Sequence, residues 1–214
     1  MQEPRIKNLL FDLGGVIMDL DRDRCVRAFN ALGMKDADDF LGVYGQKGDF
    51  LALERGEIDA SEFRRRIRPL FNHAVTDEEI DTAFDKFLLG IPVHRLKALR
   101  ELREAGYGVY LLSNTNPIMM EGFIANEFRK EGLEMSDYFD GAVCSYKAKC
   151  YKPEAAIFDY TCRTCGIRPE ETLFFDDSAA NVDAARALGF YAETVPPGTE
   201  FMDILATFSP AEAL

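Results

Sequence analysis

Ile6-Lys7-Asn8-Leu9-Leu10-Phe11-Asp12-Leu13-Gly14-Gly15 runs from an apolar stretch into one acidic residue and then two glycines. The stretch is short for a helix and is bounded by glycine, so it reads as a buried strand ending at Asp12. Three runs of the same kind follow. Val109-Tyr110-Leu111-Leu112 ends at Ser113-Asn114, Gly141-Ala142-Val143-Cys144 stands alone, and Thr172-Leu173-Phe174-Phe175 ends at Asp176-Asp177. Phe190-Tyr191-Ala192 begins a fifth. Helical patterns lie between them. Val93, Leu96, Leu99 and Leu102 recur before a stop at Gly106, and Ala179 to Leu188 ends at Gly189. Pro153 is suited to a helix's first turn, with Ala156, Ile157 and Tyr160 behind it and Gly166 past the end. Apolar strands alternating with helices predict an α/β protein, a parallel sheet covered by helices on both faces.

Residues 20–90 break that rhythm and read as helix after helix without a convincing strand. Cys25, Val26, Phe29 and Leu32 share one helical face; Phe63, Ile67, Leu70 and Phe71 share another. Thr76-Asp77-Glu78-Glu79 matches a capping box ahead of Ile80, Ala83, Phe84, Phe87 and Leu88. The expected division is a discontinuous core of residues 1–19 and 91–214, with 20–90 inserted as an all-α module. Hinges are expected near residues 19–20 and 89–91. Arg64-Arg65-Arg66 reads as the solvated face of its helix.

The chain has 214 residues, 47% hydrophobic and 29% charged, which suits a folded protein with a real core and excludes a disordered one. A net charge of −12 repels nucleic acid and anionic lipid, so neither is an expected partner. No apolar run approaches the roughly 20 residues that span a bilayer. The N-terminal Met1-Gln2-Glu3-Pro4 leads straight into Arg5 without an apolar signal segment, and the expected location is cytoplasmic. Cys25, Cys144, Cys150, Cys162 and Cys165 form no regular framework and read as ordinary thiols. The expected state is a monomer or weak homodimer.

Asp12, Ser113-Asn114 and Asp176-Asp177 all fall at carboxyl ends of predicted strands, where an open parallel sheet places its ligand. Each has a plain alternative as a helix cap. Together, with Lys152-Pro153 between them, they point to one site. Phe11-Asp12-Leu13-Gly14-Gly15-Val16-Ile17, Leu111-Leu112-Ser113-Asn114-Thr115, Lys152-Pro153-Glu154 and Phe175-Asp176-Asp177-Ser178 resemble the four ordered motifs of haloacid dehalogenase-like (HAD) hydrolases. Their wording is most similar to the alpha-D-glucose-1-phosphate phosphatase-like branch. The resemblance implies a Rossmann-like three-layer core with a helical cap. It also implies a Mg²⁺-dependent phosphatase acting on a small phosphorylated metabolite such as a glycosyl 1-phosphate.

Under that resemblance Asp12 is the nucleophile, ionised at neutral pH and needing no base. Mg²⁺ would be held by Asp12, the Gly14 carbonyl and the acidic pair, with Asp177 in direct contact and Asp176 acting through water. Lys152 would set an ammonium against phosphate and nucleophile. Ser113 would donate to a phosphoryl oxygen, and Asn114 would orient the phosphate or the acidic pair. Lys147 and Lys149 read as surface lysines. Specificity is expected from the cap, near Gln46-Lys47-Gly48-Asp49. One position departs from the pattern: most phosphatases of the superfamily carry an Asp two residues after the nucleophile as general acid, and here it is Gly14. Unprotonated departure would make the rate depend steeply on leaving-group acidity. A metal-independent 2-haloacid dehalogenase and a non-catalytic binding protein are the competing readings; the acidic pair argues against the first.

Overall fold

The computed structural model describes residues 6–42 and 48–208. Seven strands lie among them: β1 (Asn8–Phe11), β2 (Asp19–Leu20), β3 (Leu88–Gly90), β4 (Gly108–Ser113), β5 (Gly141–Cys144), β6 (Thr172–Asp176) and β7 (Tyr191–Thr194). Five form one sheet in the order β5-β4-β1-β6-β7, and every neighbouring pair is parallel. β1 sits at the centre, with Phe11 level with Leu111 on one side and Phe175 on the other. The ends of β1, β4 and β6 are thereby brought to one edge.

Side-chain alternation explains why these strands read as unbroken apolar runs. Leu10, Leu112 and Phe174 turn to one face and meet Ile157, Phe158 and Val182. Leu9, Phe11, Val109, Leu111, Leu173 and Phe175 turn to the other, where Leu96, Leu99 and Phe201 cover them. Helices flank both faces, giving the three-layer α/β arrangement expected.

The segment between β1 and β4 holds α1 (Arg22–Ala31), α2 (Ala37–Leu41), α3 (Gly48–Glu54), α4 (Ala60–Ile67), α5 (Asp77–Asp85) and α6 (Val93–Glu104). The Thr76 capping box forms as the spacing predicts, with Thr76 Oγ1 accepting from the Glu79 amide at 3.2 Å. Aromatic rings bind α3, α4 and α5 together: Phe63 stacks on Phe84 at 5.4 Å, and Phe50 meets Phe84 edge-on at 4.7 Å. Arg64 grips Asp81 through two bonds of 2.8 and 2.7 Å, while Arg65 and Arg66 both pair with Glu62, so this basic run is spent on neighbouring acids.

Three expectations need correction. Residues 20–90 do contain strand: β2 and β3 pair antiparallel where the chain leaves and re-enters the core, Asp19 opposite Gly90. Leu70 does not share the buried face, because a 3₁₀ turn at Arg68–Leu70 rotates it outward to 39% exposure. Pro153 lies outside its helix, which spans Ala155–Cys165 with Glu154 as its cap; the Lys152–Pro153 bond is cis. The first crossing is pinned by Arg95, a buried guanidinium that donates to Asp19 Oδ1 at 2.8 Å, to the Ile17 carbonyl at 3.2 Å and to Glu200 at 2.8 Å. The five cysteines are free. Met1–Arg5, Gln46 and Lys47, on which two of the sequence readings fall, lie outside the described residues.

At the end of α5, Asp85 Oδ1 is buried without a hydrogen-bond partner among the described residues. Burial first, and Asp81 second, push this carboxyl up to about 6. A folded value above the ordinary one means the ionised form opposes folding, a cost present above about pH 6 and gone below about pH 4. Asp85→Asn is therefore expected to stabilise the protein by about 1 kcal/mol near pH 8, discounted for the group's partial exposure, with the gain vanishing near pH 4. Urea unfolding at both pH values checks it; an equal gain at both would place the cause elsewhere.

Candidate active site at the carboxyl edge of the sheet

Asp12 follows β1 directly, Ser113 and Asp176 are the last residues of β4 and β6, and Asn114 and Asp177 come next in the chain. Lys152 arrives from the loop ahead of Ala155–Cys165. Its side chain is 1% exposed, and its Nζ donates to Asp12 Oδ1 at 2.8 Å, Asp176 Oδ2 at 2.6 Å and the Leu112 carbonyl at 3.1 Å. Burial alone would push this ammonium down; Asp12 and Asp176 outweigh it and hold it above its ordinary value. Lys152 is therefore a fixed cation.

The acids show the opposite balance. Burial, opposed by Lys152 and reinforced by Asp176 and Asp177, holds Asp12 well above the usual carboxylate range. Asp177 is raised as well, by burial and then by Asp176. Asp12, Asp176 and Asp177 each offer a carboxylate oxygen within 4.8 Å of the others. One lysine does not neutralise three such groups, and an all-oxygen donor set of this kind suits a hard divalent cation such as Mg²⁺. Gly15 belongs to the same arrangement: it takes φ +75°, and a Cβ there would run into the Asp177 carboxylate.

Asp176 and Asp177 are not equivalent. Asp176 is fully buried, its Oδ1 accepting from the Ser178 amide and Asn181 Nδ2 at 2.9 Å each, its Oδ2 from Lys152. Asp177 lines the open cavity and Asp176 does not. Asn114 lines the cavity with Ser113, and its carboxamide bonds the Lys152 main chain. Nδ2 donates to the Lys152 carbonyl at 3.1 Å, and Oδ1 accepts from the Lys152 amide at 2.9 Å. Ser113 is buried to 2% and lines the cavity beside Asp12 and Gly14. Lys147 is exposed beside the Tyr146 ring, and exposed Lys149 bonds the Gly56 carbonyl.

The cavity measures about 170 Å³, small beside the roughly 300–1,000 Å³ of sites for drug-sized ligands. Part of its lining comes from the helical segment and is mainly apolar: Leu20, Phe50, Phe87 and Leu88, with Met119 and Ile124 also lining it. Glu54 and Tyr151 also line it, and the sequence reading named neither. Tyr151 Oη donates to Glu54 Oε2 at 3.2 Å. Asn181 was missed too, although a residue five places after Asp176 on the first turn of the next helix is a findable partner.

Known proteins resemble this chain in sequence and fold. The family model described as haloacid dehalogenase-like hydrolase matches residues 6–189. A D-ribitol-5-phosphate phosphatase of Bacteroides thetaiotaomicron is 42% identical over 192 residues, 90% of this chain and 92% of its own. The solved structure of a HAD family enzyme from the same organism, in complex with magnesium and inorganic phosphate, superposes with a TM-score of 0.87 at 40% identity, covering 93% of this chain and 98% of that one. A predicted HAD-like family hydrolase from Porphyromonas gingivalis superposes at 0.85 with 33% identity over 94% and 96%. The chain belongs to the haloacid dehalogenase-like hydrolase family.

Proposed function

We propose that this chain is a Mg²⁺-dependent phosphatase that hydrolyses the phosphate ester of a small sugar or polyol through Asp12. The observation that carries the reading is the buried Lys152 bridging Asp12 and Asp176, with Asp177 close by in the lining of a small cavity. The magnesium and phosphate held by the solved relative and the polyol phosphate named for the curated one support it. Residues 20–90 act as the cap on a core of 1–19 and 91–214.

The Asp12 carboxylate attacks phosphorus in line, and water later cleaves the aspartyl-phosphate. Lys152 faces both the nucleophile and the incoming anion and lowers their repulsion. Ser113 donates to a phosphoryl oxygen. Asn114 acts at one remove, clamping the main chain that carries Lys152. Asp12, Asp177 and the Gly14 carbonyl would hold Mg²⁺, with Asp176 behind them fixing Lys152. When bound, the ion supplies the positive charge that lets a phosphate dianion approach three carboxylates. The small cavity restricts the substrate to a small molecule, and the apolar cap wall favours a second reading, an apolar alcohol as leaving group. We place the protein in the cytoplasm, as a monomer or weak homodimer without nucleic-acid or membrane partners, on its acidity and free thiols.

The test is phosphate release from ribitol 5-phosphate, glucose 1-phosphate, p-nitrophenyl phosphate and isoprenyl phosphate, with Mg²⁺ and with chelator. Ribitol 5-phosphate is expected to lead, and chelation to lower turnover at least about 100-fold. Isoprenyl phosphate ahead of the polyol would favour the apolar reading. Chloride release from 2-chloropropionate in chelator would overturn the phosphatase.

A further inference from the structure

A primary alkoxide is a very poor leaving group, and the loop after the nucleophile has no acid to protonate it. Position 14 is glycine, and a Cβ there would meet Leu20 Cδ1 at 2.7 Å, so the cap's own side chain fills that space. In-line attack from Asp12 puts the leaving oxygen on the opposite side of phosphorus, within a small cavity that cap residues also line. Three carboxyl side chains line the cavity among the described residues: Asp12, Asp177 and Glu54. The first is the nucleophile and the second faces the metal position. Glu54 alone comes from the cap.

From this placement we infer that Glu54 is the catalytic acid that protonates the leaving oxygen, standing in for the carboxyl that Gly14 lacks. The inference rests on the phosphatase reading and deepens it. Its position is held from several sides. Phe50 and Leu53 of α3 are buried at 1% and 0% exposure, fixing the helix whose last residue is Glu54. The Glu54 carbonyl accepts from Ser145 Oγ at 2.6 Å, and Ser145 also accepts from the Thr115 amide at 3.0 Å in the loop after Ser113. Arg55 pairs with Glu154, Lys149 bonds the Gly56 carbonyl, and Tyr151 holds one carboxyl oxygen. The end of α3 is thus tied to the loop that follows Ser113 and to the segment that carries Lys152.

The surroundings keep the proton on. Glu54 is 5% exposed and stands at the carbonyl end of its helix, where negative charge is unfavourable. Burial first, and Asp12 after it, push the carboxyl up to about 8, against the Tyr151 bond and the Lys152 charge. It therefore carries a proton at neutral pH.

An Asp12 oxygen bonds to phosphorus while the phosphorus–leaving-oxygen bond breaks, its electron pair taking the Glu54 proton to give the free alcohol. Water then attacks the aspartyl-phosphate and gives a proton to the Glu54 carboxylate. The phosphorus–Asp12 bond breaks, and inorganic phosphate leaves with both side chains restored. With a donor in place, the native enzyme shows a shallow dependence on leaving-group acidity, in contrast to the steep one that Gly14 alone implies.

The experiment is single-turnover phosphorylation of native protein and Glu54→Gln by ribitol 5-phosphate and by p-nitrophenyl phosphate, with Mg²⁺. The alkyl-ester rate is expected to fall about 10²- to 10⁴-fold, and the aryl-ester rate far less, because p-nitrophenolate departs without a proton. Glu54→Asp, which keeps the acid, should recover at least about tenfold of the alkyl-ester loss. Equal losses on both esters, or none, would overturn the assignment, as would a Glu54→Asp variant no faster than Glu54→Gln. A native protein that forms no phosphoenzyme with either ester would overturn the phosphatase reading itself and this inference with it.

Discussion

Asp12→Asn is expected to lower turnover of every phosphate ester by about 10⁴-fold or more while leaving the protein folded. The amide keeps the shape of the carboxylate and removes the negative charge that makes its oxygen a nucleophile toward phosphorus. A loss of that size is about 5.5 kcal/mol of barrier, well beyond what mispositioning of a still-competent nucleophile would cause. The stability effect has the opposite sign from an ordinary buried-charge deletion. Asp12 is held above its usual range by burial and by Asp176 and Asp177, so its ionised form is a burden on the native state. Lys152 keeps Asp176 as a partner at 2.6 Å after the change. Thermal melting without Mg²⁺ should therefore give an unchanged or higher Tm for the variant. Retained hydrolysis would remove Asp12 from the nucleophile's role, and a lower Tm would show that its ionised form is no burden on the native state.

Much of this architecture was legible because parallel strands buried on both faces leave apolar runs, and because their ends carry the chemistry. Asp12, Ser113 and Asp176 needed only the strand boundary to be found. What the sequence hid depended on contacts between distant segments. Glu54 sits in Leu53-Glu54-Arg55, which reads as an ordinary helix end; only the packing of Phe50 against Phe84 and the clamp at Ser145 bring it to the cavity that Asp12 lines. Asn114 was legible as a site residue, but its bond across 38 residues to the Lys152 main chain was not. That same bridge helps explain why Pro153 precedes its helix: the Lys152–Pro153 segment is shaped by the site, and Ala155–Cys165 begins only after it. Leu70 followed the helical spacing of Phe63 and Ile67 on paper, and the tighter 3₁₀ turn rotated it out.

Lys152→Met carries the second large effect, and here stability and catalysis fall together. Methionine nearly matches the lysine stem in volume, so packing against Phe174, 5.5 Å from Nζ, is largely kept and the change isolates the charge. Its removal leaves Asp12 and Asp176 buried and facing each other without a cation. Breaking a buried pair in this way costs about 3–5 kcal/mol, more than a fully satisfied pair contributes, because the stranded charge has lost its solvation. Turnover should fall by about 10³-fold or more with it, since an anion must then approach uncompensated carboxylates. The two losses can be separated. In the proposed site Mg²⁺ and the lysine share Asp12, so saturating Mg²⁺ should raise the variant's Tm by more than the native protein's. Asp176→Asn added to Lys152→Met should recover part of the lost stability, a non-additive coupling expected of groups in direct contact. Urea unfolding of the two single variants and the double variant, with and without Mg²⁺, reads both effects. If Lys152→Met were as stable as the native chain, or if the two changes simply added, the lysine would not be the counter-charge that lets these acids share one site.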